Sequence, residues 1–227
     1  MAFLVKICGL SSAETLDVAL DAGADMVGFV FFPASPRHVA FAAARALGAR
    51  VRGRASKVAL CVDAGDEELA EIVEALKPDL LQLHGCETPE RVSTVRRRFA
   101  LPVMKALPIS ERADLLRIAL YEKDADRLLF DARAPREASR PGGLGKSFDW
   151  RLLRNLDCAL PFMLSGGLDA GNVAQALRIT GAAGVDVSSG IERVAGEKDP
   201  DKIRAFIAAA RQAAAQRTAP AKAVASS

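Results

Sequence analysis

Two short stretches near the end of the chain each join an apolar strand to small hydroxyl and glycine residues. They are Phe162-Met163-Leu164-Ser165-Gly166-Gly167-Leu168 and Gly184-Val185-Asp186-Val187-Ser188-Ser189-Gly190. That pairing suits a phosphate site made of backbone N–H groups. Glycine has no Cβ, so the chain can approach an anion closely and take positive φ, turning N–H groups toward the oxygens. Either stretch alone reads as a tight turn after a strand; the pair, closing a strand–helix alternation, points to phosphate. Other positions offer groups that move protons or fix charge. Cys8 ends the first apolar run, Asp131 comes after Leu128-Leu129-Phe130, and Gln82 with His84 ends Leu80-Leu81-Gln82-Leu83-His84. Arg37 stands in Pro33-Ala34-Ser35-Pro36-Arg37-His38, made rigid by two prolines that fix φ. Together they supply a base, an acid and a fixed cation suited to bidentate capture of a carboxylate.

Each residue also has a plainer reading. A lone cysteine usually fills space in a core. Strand alternation, however, sets Lys6 and Cys8 on one face, and an ammonium beside a thiol lowers its pKa from about 8.5. A thiol tuned in this way can take a proton from carbon. Asp131 is either the N-cap of the next segment or a general acid whose proton burial helps to retain. Asp186 lies between valines and is costly to bury unpaired, so Lys6 or Lys105 is expected to face it. Arg96-Arg97-Arg98 reads as a solvated helix face. Gly142-Gly143-Leu144-Gly145-Lys146 lacks the spacing of a nucleotide-binding loop and comes after a polar segment. A lid that closes over the site and excludes water fits it better.

The elements that must position these groups alternate. Apolar runs at 3–8, 26–31, 58–62, 80–85, 103–107 and 127–131 read as strands, and the two glycine-ended runs complete a set of eight. Between them, Ser11-Ser12-Ala13-Glu14 forms a capping box, with Gly23 as the stop of that helix. An alanine-rich helix runs to about Arg50, and Asp66 caps a third with Leu69, Ile72, Val73 and Leu76 on one face. Thr88 and Pro89 start the next as N-cap and N1. Further helices are expected from about Ser110, at Phe148-Asp149-Trp150, and after an Asp199-Pro200 cap. Buried strands alternating with helices argue an α/β fold with a parallel sheet. Eight units at this length favour a closed (β/α)8 TIM barrel, a single domain over residues 1–211. No G-x-G-x-x-G succeeds the first strand, which disfavours a dinucleotide fold. Residues 212–227 read as a frayed helix and loose, partly disordered alanine-rich tail.

Composition narrows the partners. The formal net charge of +3 and aromatic content of 5% give neither a nucleic-acid surface nor a base-stacking platform. Four scattered cysteines and only two histidines argue against a structural zinc site, and no metal or cofactor is called for. With no leader-like start and no run of membrane-spanning length, the expected setting is the cytoplasm, with no membrane partner.

Taken together, these stretches resemble the phosphoribosylanthranilate isomerase family of the tryptophan pathway. The matching residues are Lys6-Ile7-Cys8-Gly9, Gly28-Phe29-Val30-Phe31, Ser35-Pro36-Arg37, Gln82-Leu83-His84-Gly85, Phe130-Asp131, Gly142-Gly143 through Phe148-Asp149-Trp150, Leu164 to Leu168, and Asp186 to Glu192. They keep one order and span nearly the whole chain. The resemblance implies an Amadori rearrangement of a phosphorylated aminoribose, N-(5-phosphoribosyl)anthranilate, to the 1-deoxyribulose 5-phosphate, without metal or cofactor. By that resemblance Asp131 is the general acid that opens the ribose ring, and Cys8 the general base that removes the C2 proton. Arg37 would hold the anthranilate carboxylate, and phosphate would sit on N–H groups near Gly166, Gly167, Ser189 and Gly190. Gln82, His84, Asp186 and Ser188 join the expected substrate-binding set, in a monomer or homodimer. Two features depart from the family: Leu144 replaces a small hydroxyl residue, and Asp169-Ala170-Gly171-Asn172 replaces a proline-containing helix start, which should loosen that start slightly. The histidine-pathway isomerase would call for an aspartate where Cys8 stands, and indole-glycerol-phosphate synthase for a lysine and glutamates these motifs lack. A phosphosugar-binding barrel without catalysis would have no need of both Cys8 and Asp131.

Overall fold

The computed structural model describes residues 2–135, 137–138 and 140–218. Eight parallel strands close into a ring in chain order: β1 (Leu4–Cys8), β2 (Met26–Phe31), β3 (Ser56–Cys61), β4 (Leu80–Leu83), β5 (Val103–Ile109), β6 (Arg127–Ala132), β7 (Phe162–Leu164) and β8 (Gly184–Val187), with β8 pairing back onto β1. The crossovers carry α1 (Ala13–Asp21), α2 (Phe41–Val51), α3 (Asp66–Leu76), α4 (Pro89–Phe99), α5 (Ile118–Tyr121) and α6 (Val173–Thr180), and α7 (Pro200–Thr218) comes after β8. A 3₁₀ turn, Arg112–Arg117, leads into α5, and another, Trp150–Leu153, takes the place of a helix between β6 and β7. The expected tail begins within α7, which runs to Thr218; residues 219–227 lie outside the described residues.

Parallel strands are covered on both faces, so β2 is buried at all six positions. Outward residues such as Val5, Val27 and Phe29 pack with the helices' apolar stripes. Inward residues form layers. Met26, Val58, Leu80, Met104, Leu129 and Met163 make an apolar floor. Two residues after Leu4, Leu80 and Gly184 on β1, β4 and β8 come Lys6, Gln82 and Asp186, all buried, and beyond them the open mouth. This period of two is the pleat of the strand and determines which residues can reach the pocket.

Two helix starts differ from the sequence expectation. Ser12, not Ser11, caps α1: its Oγ accepts from the Thr15 N–H and shares a 2.8 Å hydrogen bond with the Thr15 hydroxyl, so Glu14 closes no box. Gly65 occupies the N-cap of α3, and Asp66, one residue inside, instead pairs with Arg91 and Arg98 of α4. Thr88 and Pro89 start α4 as expected, with Thr88 accepting from Arg91 N–H. A small antiparallel hairpin, β9 (Glu192–Val194) with β10 (Glu197–Lys198), lies outside the sequence expectation. Its turn glycine, Gly196 (φ +92), packs so tightly against the Pro36 carbonyl that a Cβ would stand 2.6 Å away. The hairpin is thereby seated on the loop that carries Arg37.

Candidate active site

A pocket opens at the C-terminal ends of the strands. Its wall takes alternate residues of the ring, among them Cys8, Val30, Leu60, Asp131, Ser165 and Asp186. Around the ring β6, β7, β8 and β1 are consecutive neighbours. Asp131 on β6 and Cys8 on β1 therefore flank the two glycine loops that come after β7 and β8.

Cys8 is 3% exposed. Gly28 on the neighbouring strand makes room for it: a Cβ there would meet Cys8 Sγ at 2.9 Å and Lys6 Cε at 3.2 Å. Lys6, fully buried beneath, donates to Asp186 Oδ1 at 2.8 Å, so Lys6 and not Lys105 is the partner of Asp186. Lys105 serves Glu87 at 2.7 Å and the Gly85 carbonyl at 2.7 Å. The expected lowering of the thiol pKa does not hold. Burial pushes the Cys8 thiol up and the Asp186 charge adds to this, outweighing the pull of the Lys6 ammonium. In the resting pocket Cys8 is a neutral thiol.

Asp131 accepts from the Ala132 N–H through Oδ1 at 2.9 Å, and its Oδ2 lies 3.2 Å from His84 Nε2. His84 Nδ1 in turn lies 2.8 Å from Gln82 Nε2. His84 lines the cavity, while Gln82 is fully buried behind it and reaches the pocket only through the imidazole. A second pocket is lined by Arg140 and Pro141 together with Val62, Ala106, Pro108 and Ala134. Asp131 and His84 border both spaces.

Arg37 is 3% exposed, and its fork is already engaged. Nε and Nη2 donate to the two oxygens of Glu192 at 2.7 Å each, and Nη2 also donates to the Gly143 carbonyl at 3.1 Å. Bidentate capture of a substrate carboxylate by that edge is thus taken up inside the protein, leaving Nη1. Glu192 also accepts from Lys198 Nζ at 2.8 Å, and Lys198 reaches the Ser188 carbonyl at 2.9 Å and Ser188 Oγ at 3.1 Å. Burial pulls Lys198 down to about 8 although Glu192 opposes it. Burial would raise Glu192, yet Arg37 and Lys198 together hold its carboxyl below the usual range.

The glycine loops adopt the backbone their residues allow: Gly166 and Gly167 have φ +87 and +64. Gly190 passes so close to the Leu168 carbonyl that any Cβ would overlap it. Ser189 and Gly190 form a 3₁₀ turn after Ser188. The start of α6, expected to be looser without proline, is tied by side chains instead. Asn172 Nδ2 donates to the Gly167 carbonyl at 2.8 Å, its Oδ1 accepts from Asp169 N–H at 2.9 Å, and Asp169 Oδ1 accepts from the N–H groups of Gly171 and Asn172.

The glycine-rich segment after β6 lies down across the mouth. A Cβ on Gly142 would stand 2.6 Å from Asp131 Oδ2, and one on Gly143 would meet Arg37 Nη1. Leu144 lines the cavity. Sequence reasoning gave no role to Glu192, Lys198, Gly28 or Asn172. Gly196, as a turn glycine between two short runs, was the available signal for the hairpin that carries the first two; the orientation of Asn172 had none.

The thiol, the carboxyl and the glycine loops converge on the mouth where barrel enzymes carry out their chemistry, which sets the chain among the (β/α)8-barrel enzymes. A model of the N-(5'phosphoribosyl)anthranilate (PRA) isomerase family matches residues 5–209, and the chain belongs to that family. An N-(5'-phosphoribosyl)anthranilate isomerase of Rhodopseudomonas palustris (strain BisB5) is 63% identical over 211 residues, 93% of this chain and 97% of that protein. One of Nitrobacter winogradskyi is 64% identical over 213 residues, 94% of this chain and 95% of that protein. Among solved structures, phosphoribosyl anthranilate isomerase from Thermotoga maritima superposes with a TM-score of 0.84 at 33% identity, covering 93% of this chain and 100% of that one. A phosphoribosyl anthranilate isomerase in complex with reduced 1-(o-carboxyphenylamino)-1-deoxyribulose 5-phosphate superposes with a TM-score of 0.79 at 31% identity, covering 93% and 100%.

Proposed function

We propose that this pocket performs the isomerisation that names the family, with Asp131 as general acid and Cys8 as general base on N-(5'-phosphoribosyl)anthranilate. The observation that carries the assignment is the ring order: acid and base stand on the strands flanking the two glycine loops. A sugar anchored by its phosphate between β7 and β8 presents its ring to both. The phosphate sits on N–H groups of Gly166, Gly167, Ser189 and Gly190, with Ser188 and the Lys198 ammonium behind them. Asp131 gives its proton to the ribose ring oxygen, and the C1–O bond breaks to leave a Schiff base. That cation acidifies C2, whose proton passes to Cys8 Sγ while the C–H electrons form the enolamine. Because the resting thiol is neutral, it first gives its own proton to the carboxylate left on Asp131, and the resulting thiolate is the base that takes the C2 proton. Lys6, held by Asp186, lies beneath Cys8 to offset the developing negative charge. The enolamine then gains a proton at C1 and loses one at O2, which closes the proton balance. Arg37 turns Nη1 toward the anthranilate carboxylate, and His84 walls the ring.

The four free cysteines, Cys8 and Cys61 buried among them, support a reducing, cytoplasmic setting. Solved relatives include a structure described as mutually generated monomers of the dimeric Thermotoga maritima enzyme, and we infer a monomer or homodimer here.

The fluorescence of N-(5'-phosphoribosyl)anthranilate tests the reading directly. Its decay should be fast with wild type, and Cys8→Ala and Asp131→Asn should each cost about 10²–10⁴ in kcat with little change in KM. Near-wild-type decay with either variant removes that residue from the chemistry; no decay with wild type overturns the function.

A further inference from the structure

Gln82 occupies an unusual place: a neutral amide in the buried middle layer of the barrel, with one hydrogen bond. Its Nε2 lies 2.8 Å from His84 Nδ1, and its Oε1 is buried without a partner. A side-chain amide ordinarily satisfies both ends when buried. Here nothing but His84 decides which end faces the imidazole.

The two orientations have opposite consequences. With the NH2 group toward Nδ1, that nitrogen is an acceptor and the ring proton is on Nε2, which donates to Asp131 Oδ2 at 3.2 Å. Asp131 then accepts from both His84 and Ala132 N–H, the arrangement of an ionised carboxylate. With the amide turned over, Oε1 accepts a proton on Nδ1, Nε2 becomes the acceptor, and Asp131 Oδ2 must donate. That is the arrangement of a protonated acid.

We propose that Gln82 and His84 are positioning residues that couple the proton on Asp131 to the imidazole tautomer, the amide of Gln82 turning over as Asp131 gains or gives its proton. The idea rests on Asp131 being the acid of the isomerisation. Proton bookkeeping is simple. The ionised state holds one proton on Nε2; the acid state holds one on Nδ1 and one on Asp131 Oδ2, so the two differ by the single proton delivered to the ring oxygen. Between turnovers the imidazole, which lines the pocket, exchanges its own ring proton between Nδ1 and Nε2 through water. The carboxyl thus keeps a hydrogen-bond partner before and after delivery, without a head-to-head clash of two donors.

The chain has two histidines, His38 and His84, which makes the tautomer readable by ¹⁵N NMR of the ring nitrogens, with His38→Gln to assign the signals. At pH about 8, above the ordinary imidazole range, wild-type His84 should carry its proton on Nε2. Asp131→Asn should move it to Nδ1. Ala132 N–H keeps the amide oxygen at the Oδ1 position, so the Asn NH2 faces Nε2 and donates to it. An unchanged tautomer in Asp131→Asn refutes the coupling, and needs no turnover to be seen. The kinetic arm is Gln82→Met, which keeps the volume and removes the amide. It should lower kcat more than tenfold with KM within about twofold, and Gln82→Glu, whose carboxylate accepts from Nδ1–H and so holds the ring proton there, should alter the pH profile of kcat. A raised KM with unchanged kcat would mean a merely structural or binding role. If wild type fails to turn over N-(5'-phosphoribosyl)anthranilate, the functional reading falls, while the tautomer comparison still judges the coupling.

Discussion

Replacing Gly142 by alanine adds one methyl group at the point where the segment after β6 meets the candidate acid. Gly142 does not occupy the left-handed region, so alanine suits its backbone, and the usual gain of about 0.4–1 kcal/mol from a stiffer unfolded chain is set against the steric cost of the new methyl group. The obstacle is steric. The new Cβ would lie 2.6 Å from Asp131 Oδ2 and 2.8 Å from His84 Nε2, where ordinary contact begins at 3.4 Å. Something must therefore give by about 0.8 Å, and both neighbours are tethered: Asp131 by Ala132 N–H, His84 by Gln82. Misplacement by about 1 Å can cost some 10²-fold in rate. The expected result is a fall in kcat/KM of about 10- to 100-fold, roughly 1.4–2.7 kcal/mol in transition-state stabilisation, with a Tm unchanged or lower by a few degrees. Continuous fluorescence of N-(5'-phosphoribosyl)anthranilate gives the kinetics and thermal melting gives Tm. Gly65→Ala, where nothing lies within 4 Å, serves as the control and should keep wild-type kinetics. A Gly142→Ala enzyme within twofold of wild type would refute the view that this segment rests on Asp131 during turnover.

Three further outcomes are expected from the same geometry. Lys6→Met leaves Asp186 buried without its partner and should cost roughly 3–5 kcal/mol, about 10 °C in Tm; a melting point within 2 °C or so of wild type would count against the pair. Glu192→Gln tests the clamp on Arg37. Because the folded carboxyl lies below its unfolded value, its contribution is complete above about pH 4.3 and is lost as the pH falls through the folded value. The stability gap between wild type and variant should be widest at neutral pH and close in acid, and a gap independent of pH would argue against it. Asn172→Ala removes the hydrogen bond to the Gly167 carbonyl, worth about 0.5–1.5 kcal/mol, and should raise KM about 2- to 10-fold with kcat kept; a fall in kcat at constant KM would contradict the proposed anchoring role of the Gly166–Gly167 loop.

Much of the architecture was legible in the chain because its signals are local. Apolar runs separated by helix starts and stops gave the eight strands and their order, and Thr88-Pro89 marked the beginning of α4. At the two helix starts that differ, a competing local choice decided. Ser12 bonds Thr15 rather than Ser11 bonding Glu14, and Asp66 is drawn one residue inward by arginines of the next helix. The second case already shows the limit, since those arginines lie on another element.

The sequence by itself determined the barrel, the glycine turns after β7 and β8, and the chemical types at the strand ends, because pleat periodicity and turn chemistry depend on near neighbours in the chain. Tertiary structure alone decided which charges meet. Asp186 could face either of two lysines, and closure of β8 onto β1 brought it to Lys6. The hairpin after β8 folds onto the Pro36 loop and engages the fork of Arg37 through Glu192. Lys6 adjoins Cys8 as alternation required, yet the thiol is raised, since desolvation sums over every group that encloses it while strand pattern reports only its two neighbours on the face.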